Sequence, residues 1–176
     1  MASNKRRLRS LSAGAMIAAL YAAVSLAPFI SIISFGAVQF RVAEALTVLA
    51  ALLFPAVPGL TIGCVIANAA GAALGYNGLG YWDVLFGGGA TLIAALLSYA
   101  LRNIKVRGLP VLSLLPPIII NALVIGAELT LFLPEKIPYW VNAGSVALGE
   151  TAVILFLGVP LYFTLRRTKL FHDLSA

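Results

Sequence analysis

The side chains able to do chemistry in this chain are few, and most stand inside apolar segments. Arg41 precedes Glu44 by three residues, which puts a guanidinium and a carboxylate on one helix face. They either neutralise each other there or are both offered to a solute. Glu128 and Glu150 have no basic residue within a turn along the chain. A charged group at the membrane centre costs roughly 2.5 to 3.5 kcal/mol, so each carboxylate needs a proton or a group from another helix. Amides are spread among them as Gln39, Asn68, Asn77, Asn121 and Asn142, with Trp82, Tyr139 and Trp140 nearby. The amides are either interhelical links or ligand contacts, and the aromatics either interfacial anchors or stacking platforms. This is the chemistry of recognition, not of bond breaking. The single histidine, His172, lies in the C-terminal tail, so neither a Ser–His or Cys–His couple nor a two-His metal site can form within the apolar segments. Cys64 is alone and forms no internal disulfide. The Gly87-Gly88-Gly89 run lacks the lysine of a nucleotide-phosphate loop, so the chain is not expected to use ATP by itself. No enzyme activity, metal or cofactor is expected.

The elements that must position these groups are membrane helices. Of 176 residues, 61% are hydrophobic and 10% charged, and the mean hydropathy is +1.02. A soluble domain carries about a quarter charged residues, so this composition excludes an ordinary globular enzyme and a disordered tail. Ser10 to Phe40, Ala45 to Trp82, Val84 to Leu101 and Gly108 to Ala127 contain no Asp, Glu, Lys or Arg. A spanning helix needs about 20 apolar residues. The second run holds two helices, divided at Phe54-Pro-Ala-Val-Pro-Gly59, because Pro55 and Pro58 lack amide donors. The pattern predicts helices at Leu11 to Pro28, Arg41 to Phe54, Pro58 to Leu74, Asp83 to Leu101, Pro116 to Leu133 and Tyr139 to Leu165. The second is short for a span, and its start is left open between Arg41 and the Phe29 to Phe40 stretch.

Six spans place the loops on alternate sides. Lys5, Arg6, Arg7, Arg9, Arg102, Lys105, Arg107, Arg166, Arg167 and Lys169 then share one side, and Arg41 and Lys136 the other. Basic residues resist translocation, so both termini are expected in the cytoplasm. The net charge of +6 is accordingly a loop signal with attraction for lipid headgroups, and no nucleic-acid partner is expected. The basic N-terminus and following apolar stretch resemble a signal peptide with Ser25-Leu26-Ala27 as cleavage site, but Pro28 directly after it is a poor substrate. Helix one is therefore expected to stay. The reading is an all-α integral membrane protein of the cell membrane, a single multi-pass domain over residues 1–176. Residues 1–10 form a cytoplasmic basic N-terminus, 11–165 a six-helix bundle with both ends inside, and 166–176 a cytoplasmic tail.

Depth along the helices separates the polar residues. At about 1.5 Å per residue, Gln39, Arg41, Glu44, Asn68, Glu128, Trp140 and Asn142 fall toward the outer side, Glu150 near mid-depth, and Asn121 deeper, seven residues before Glu128 on nearly the same face. Polar groups concentrated toward one side suit the capture of a solute from outside. These eight residues, Asn121 apart, are the expected binding site. Carboxylates outnumber the one outer arginine, so a donor-rich or cationic solute is expected, such as a guanine-like edge whose adjacent N–H groups a carboxylate accepts in pairs. Small residues recur every four positions at Ala15, Ala19 and Ala23, at Gly14, Ala18 and Ala22, and at Gly59, Gly63, Ala67, Gly71 and Gly75. Such stripes serve close packing between helices one and three, or the docking of a partner subunit.

Val38-Gln-Phe-Arg-Val-Ala-Glu-Ala-Leu-Thr-Val-Leu49 and Phe54-Pro-Ala-Val-Pro-Gly-Leu-Thr-Ile-Gly-Cys-Val-Ile-Ala-Asn68 resemble the QueT family of queuosine-precursor transporters. Asp83-Val-Leu-Phe-Gly87, Leu115-Pro-Pro-Ile-Ile-Ile-Asn-Ala122 and Gly149-Glu150 fit the same pattern, and Ala43, where the family pattern has Ser, is a small departure. The resemblance runs from about Leu11 to about Leu165. It implies the substrate-binding S-component of an energy-coupling factor (ECF) importer, with a deazaguanine base or relative as substrate. It also implies that Ala15, Ala19 and Ala23 dock a transmembrane coupling subunit and that two ATPase subunits complete the assembly. The alternative is a secondary transporter in which a carboxylate such as Glu150 carries a proton or sodium ion.

Overall fold

The computed structural model describes residues 2–27, 40–106 and 108–168. Among these the chain is helical, with one isolated bridge between Val106 and Leu109. Its helices are α1 (Ala2–Leu26), the 3₁₀ helix α2 (Val42–Ala51), α3 (Ala56–Ala73), α4 (Trp82–Leu101), α5 (Val111–Phe132), α6 (Tyr139–Val153) and α7 (Val159–Arg166), the last two joined by a π-helical turn at Ile154–Gly158. Among the described residues, five segments are long and apolar enough to cross a membrane: Asn4–Leu26, Ala56–Ala73, Trp82–Leu101, Val111–Phe132 and Tyr139–Arg166. Large apolar side chains such as Leu85, Leu131, Leu148 and Phe156 point away from the bundle, where lipid replaces water as the favourable contact.

Neighbouring helices pack in chain order, α1 on α3, α3 on α4, α4 on α5 and α5 on α6, while α2 touches every other helix from the middle. Close approach is set by glycine. A Cβ on Gly59 would stand 2.6 Å from the Gly14 carbonyl oxygen, and one on Gly63 would stand 2.7 Å from Tyr21 Cβ. Gly126 meets α6 in the same way, with a Cβ there falling 2.7 Å from Ala143 Cα. The α1 face that meets α3 therefore carries Gly14, Ile17, Ala18 and Tyr21, and it leaves Ala15, Ala19 and Ala23 exposed.

Several helix ends differ from the sequence expectation. The first helix starts at Ala2, not Leu11, since the Lys, Arg and Leu of the basic segment are good helix formers and nothing there breaks the turn. The second is neither α nor as long as Arg41 to Phe54. It is 3₁₀ over Val42–Ala51, with eight of its residues buried. At three residues per turn the backbone is narrower than an α-helix, which suits a segment surrounded by the others, and ten residues reach about 20 Å where an α-helix reaches about 15 Å. The start left open for it falls outside the described residues. The fifth helix begins at Val111, so Pro116 and Pro117 lie inside it. Pro110 caps it by accepting from Ser113 N at 2.9 Å, and inside a bundle neighbouring groups serve the freed carbonyls. The sixth segment is helical from Tyr139 to Arg166 as expected, but widens at Ile154–Gly158. Pro160 has no N–H for the Phe156 carbonyl and would crowd it, and the wider turn relieves that contact while seating Gly158 against Val48 and Ala45 of α2. Helix α3 ends as expected. Gly75 at φ +74° lets Gly75 N and Tyr76 N return to the Ala72 and Gly71 carbonyls, which closes the helix and opens the loop to Asn77.

Candidate functional site

Five charged residues are buried among the described residues: Arg41, Glu44, Asp83, Glu128 and Glu150. They gather around α2, where Arg41, just before the helix, and Glu44, in its first turn, reach into the centre of the bundle. Arg41 does not pair with Glu44 by a hydrogen bond or close ion pair. Its Nη2 reaches Asp83 Oδ1 at 3.6 Å and donates to Asn68 Oδ1 at 3.5 Å, with Cys64 Sγ at 3.9 Å. Asn68 in turn donates to the Asp83 carbonyl at 2.7 Å, so α3 and the first turn of α4 together hold the guanidinium by one edge. The Asp83 carboxylate also accepts from Asn77 Nδ2 at 2.8 Å, and Asn77 Oδ1 accepts from Leu79 N at 3.0 Å. The loop after α3 is thereby tied to the arginine. The other guanidinium nitrogen, Nη1, is buried without a hydrogen-bond partner among the described residues.

Glu44 belongs to a second group deeper in the bundle. Its Oε1 accepts from Tyr21 OH at 2.5 Å and from Thr91 Oγ1 at 3.5 Å. Asn121 Nδ2 donates to Glu150 Oε1 at 2.9 Å, and Asn121 also lies beside Glu44. Glu44 and Glu150 are close enough to act on each other electrostatically. Glu44 Oε2, Glu150 Oε2 and Asn121 Oδ1 are buried with no hydrogen-bond partner among the described residues. Glu128 is fully buried on α5, both its oxygens are likewise unpartnered, and Arg41 and Asp83 are the charged groups that act on it.

The structure thus brings Arg41, Glu44, Asn68, Glu128 and Glu150 into one buried region. It gives two of the expected residues other surroundings. Asn142 donates to Thr130 Oγ1 at 2.9 Å and to the Ile137 carbonyl at 3.4 Å, which ties α6 to the end of α5. Trp140 is 76% exposed and packs edge-on against Tyr139. Gln39 lies outside the described residues. Asp83, Asn77, Tyr21, Thr91 and Asn121 were not among the eight expected residues and join the cluster. Their signal was a polar group inside an apolar run, which marks burial but not the partner.

An acceptor-rich, acidic centre enclosed by helices of membrane-crossing length defines a multi-pass membrane protein with a buried polar cluster. The QueT transporter family model matches residues 11–167, and the chain belongs to that family. With five apolar helices of membrane-crossing length among the described residues, it is a multi-pass protein of the cell membrane. Over 79 residues it is 37% identical to the queuosine precursor transporter QueT of Lactococcus lactis subsp. cremoris (strain MG1363), a stretch that covers 45% of this chain and 43% of that protein. No solved structure matches the chain.

Proposed function

We propose that the chain is the substrate-binding S-component of an ATP-driven ECF importer and that it captures a queuosine precursor, a deazaguanine base, from the extracellular side. The observation that carries the substrate is the charge balance of the buried cluster, with four carboxylates against one arginine. Such a site wants a donor-rich solute, as the buried oxygens otherwise lack partners. Glu128 offers two oxygens without a partner among the described residues to the adjacent N–H donors of a guanine-like edge, and Arg41 Nη1 offers a donor to its carbonyl. Glu44 and Glu150 contact the rest of the base, Asn68 holds Arg41, and Asn142 fixes α6 against α5. Trp140, exposed as it is, stands outside this set.

Six crossings with both termini in the cytoplasm complete the proposal. The coupling subunit docks on Ala15, Ala19 and Ala23, and two ATPase subunits supply the energy this chain has no loop to harvest. Calorimetry on the purified chain tests the reading, with 7-deazaguanine added in the absence of ATPase subunits or a sodium gradient. Binding is expected, and Glu128→Gln should weaken it about tenfold to a hundredfold, the worth of a hydrogen bond to a charged group. Absence of binding by the wild-type chain overturns the substrate. Concentrative uptake by liposomes holding this chain alone overturns the S-component role in favour of an ion-coupled carrier.

A further inference from the structure

The basic segment that opens α1 is continuous with a groove between α1 and α3. Residues four apart are neighbours on a helix surface, and two such rows leave the segment side by side: Arg6, Ser10, Gly14, Ala18 and Arg7, Leu11, Ala15, Ala19. The lower part of both rows, Arg6, Arg7, Ser10 and Leu11, lines an open hollow of about 480 Å³. Ser10 and Leu11 also begin an apolar groove of similar volume, which follows both rows up to Ala18 and Ala19 and has Phe54, Ile62 and Ile66 on its facing wall. Glycine and alanine make the floor, and those three large side chains, each about half exposed, make the rim. A cationic mouth thus leads into an apolar trough. We infer that this continuous surface is a site for one anionic phospholipid, with its phosphate on Arg6 and Arg7 and an acyl chain in the groove.

Charge and length both select this occupant. Arg6 and Arg7 are exposed and have no hydrogen bond or ion pair among the described residues. The described carboxylates stand elsewhere, since Glu44, Asp83, Glu128 and Glu150 are buried in the central cluster and Glu135 lies between α5 and α6. Two planar guanidiniums without a carboxylate suit phosphate oxygens, which accept from such forks in pairs. Arg102 extends the charge to the opposite wall: Phe54 packs edge-on against Tyr99 at 5.2 Å, and the Arg102 guanidinium lies 3.6 Å over that ring. The nine-residue step from Ser10 to Ala19 is about 14 Å along α1, close to the hydrocarbon depth of one leaflet, half of about 30 Å. A water-soluble phosphate would use the mouth and leave the groove unfilled. The site is independent of the solute carried. The coupling subunit proposed for Ala15, Ala19 and Ala23 meets the same wall, so lipid and subunit exclude each other, and each weakens the other's binding by the same factor.

The test adds dioleoylphosphatidylglycerol or dioleoylphosphatidylcholine to the purified full-length chain in nonionic detergent and reads retained lipid by native mass spectrometry and stability by melting temperature. One phosphatidylglycerol per chain is expected to be retained, about tenfold to thirtyfold more tightly than phosphatidylcholine, the worth of two arginines near an anionic surface. The double variant Arg6→Gln/Arg7→Gln should erase that preference, and both side chains are exposed, so the fold is not at stake. Ala15→Trp should fill the groove and abolish retention of the anionic lipid while both arginines remain. The lipid comparison on the wild-type chain decides the matter even if Ala15→Trp fails to fold. Equal retention of the two lipids, or a preference that survives loss of both arginines, overturns the site. Glycerol 3-phosphate raising the melting temperature as much as phosphatidylglycerol also overturns it, because the acyl chain would then contribute nothing. Calorimetry with 7-deazaguanine is a separate measurement, so loss of the lipid site leaves the proposed function standing and the converse holds too.

Discussion

Gly87 decides how closely Arg41 approaches α4. A Cβ built on it would stand 2.6 Å from Asn68 Nδ2 and 3.2 Å from Arg41 Nη2, and would meet Asp83 Oδ1 as well. The missing side chain is thus the seat of the ion pair. Gly87→Ala should raise helix propensity by about 1 kcal/mol and lose about 1 to 3 kcal/mol to overpacking, so the melting temperature changes little. The guanidinium, however, must move, and affinity for the base should fall about tenfold or more. Gly89, one position from the middle of the same glycine run, has nothing within 4 Å of its built Cβ. Gly89→Ala should therefore stabilise slightly and leave affinity alone. Gly87→Ala binding with wild-type affinity would remove Arg41 from the site. The sequence shows the three glycines together and cannot tell which one is crowded, because Asn68 and Arg41, which press on Gly87 along with Asp83 of α4 itself, come from other segments.

At the level of elements, α1 carries two small-residue stripes, and packing separates their uses. Ala18 and Ala22 are buried, the first beneath Gly63 of α3, whereas Ala15, Ala19 and Ala23 are exposed. Ala15 and Ala19 line an apolar groove of about 480 Å³ whose other wall is Phe54, Pro55, Pro58, Gly59 and Ile62. A helix of the coupling subunit is the proposed occupant. Ala19→Trp should fill the groove, abolish co-purification with the coupling subunit and stop uptake in cells. Base binding by the isolated chain should persist, since the groove is remote from Glu44, Glu128 and Glu150. Normal assembly of this variant would move the docking surface elsewhere.

For the whole molecule, the two ends of the bundle differ in charge. Arg166 Nη1 donates to the Gly108 carbonyl at 2.9 Å, Arg102 lies 3.6 Å over the Tyr99 ring, and Phe54 packs on Tyr99, which gathers the basic connections at one end beside the start of α3. Asp83, Asn77 and Glu128 belong to the other end. The proposed insertion, with the basic end inside, rests on the resistance of Lys and Arg to translocation. In a Cys64→Ala background, Glu135→Cys should react with a membrane-impermeant thiol reagent on intact cells and Lys105→Cys should not. Both positions are exposed, so the difference reads the side of the membrane and not burial. The reverse labelling pattern would invert the proposed orientation and, with it, the side from which the base enters.

What the sequence by itself determined is the solvent, the helices and the family. Uncharged runs of membrane length, prolines at their joints and basic loops are local properties, and in lipid the backbone has to satisfy its hydrogen bonds within each helix, so the local pattern is enough. Even its errors there are local: the α2 winding and the π turn come from neighbours that narrow or widen a helix already predicted. Partner choice in the polar cluster was decided only by the tertiary structure. Arg41 and Glu44 sit three apart and take different partners, Asp83 and Tyr21, because α2 runs between α1 and α4. Tyr21 meets Glu44 across 23 positions, Asn121 meets Glu150 across 29, and Thr91 meets Glu44 across 47. Those pairings follow from which helix faces approach, and that approach is set by the fit of glycines against backbone, such as Gly59 on Gly14 and Gly126 on Ala143. Spacing along one helix names the face a residue occupies; only the packed bundle says what that face meets.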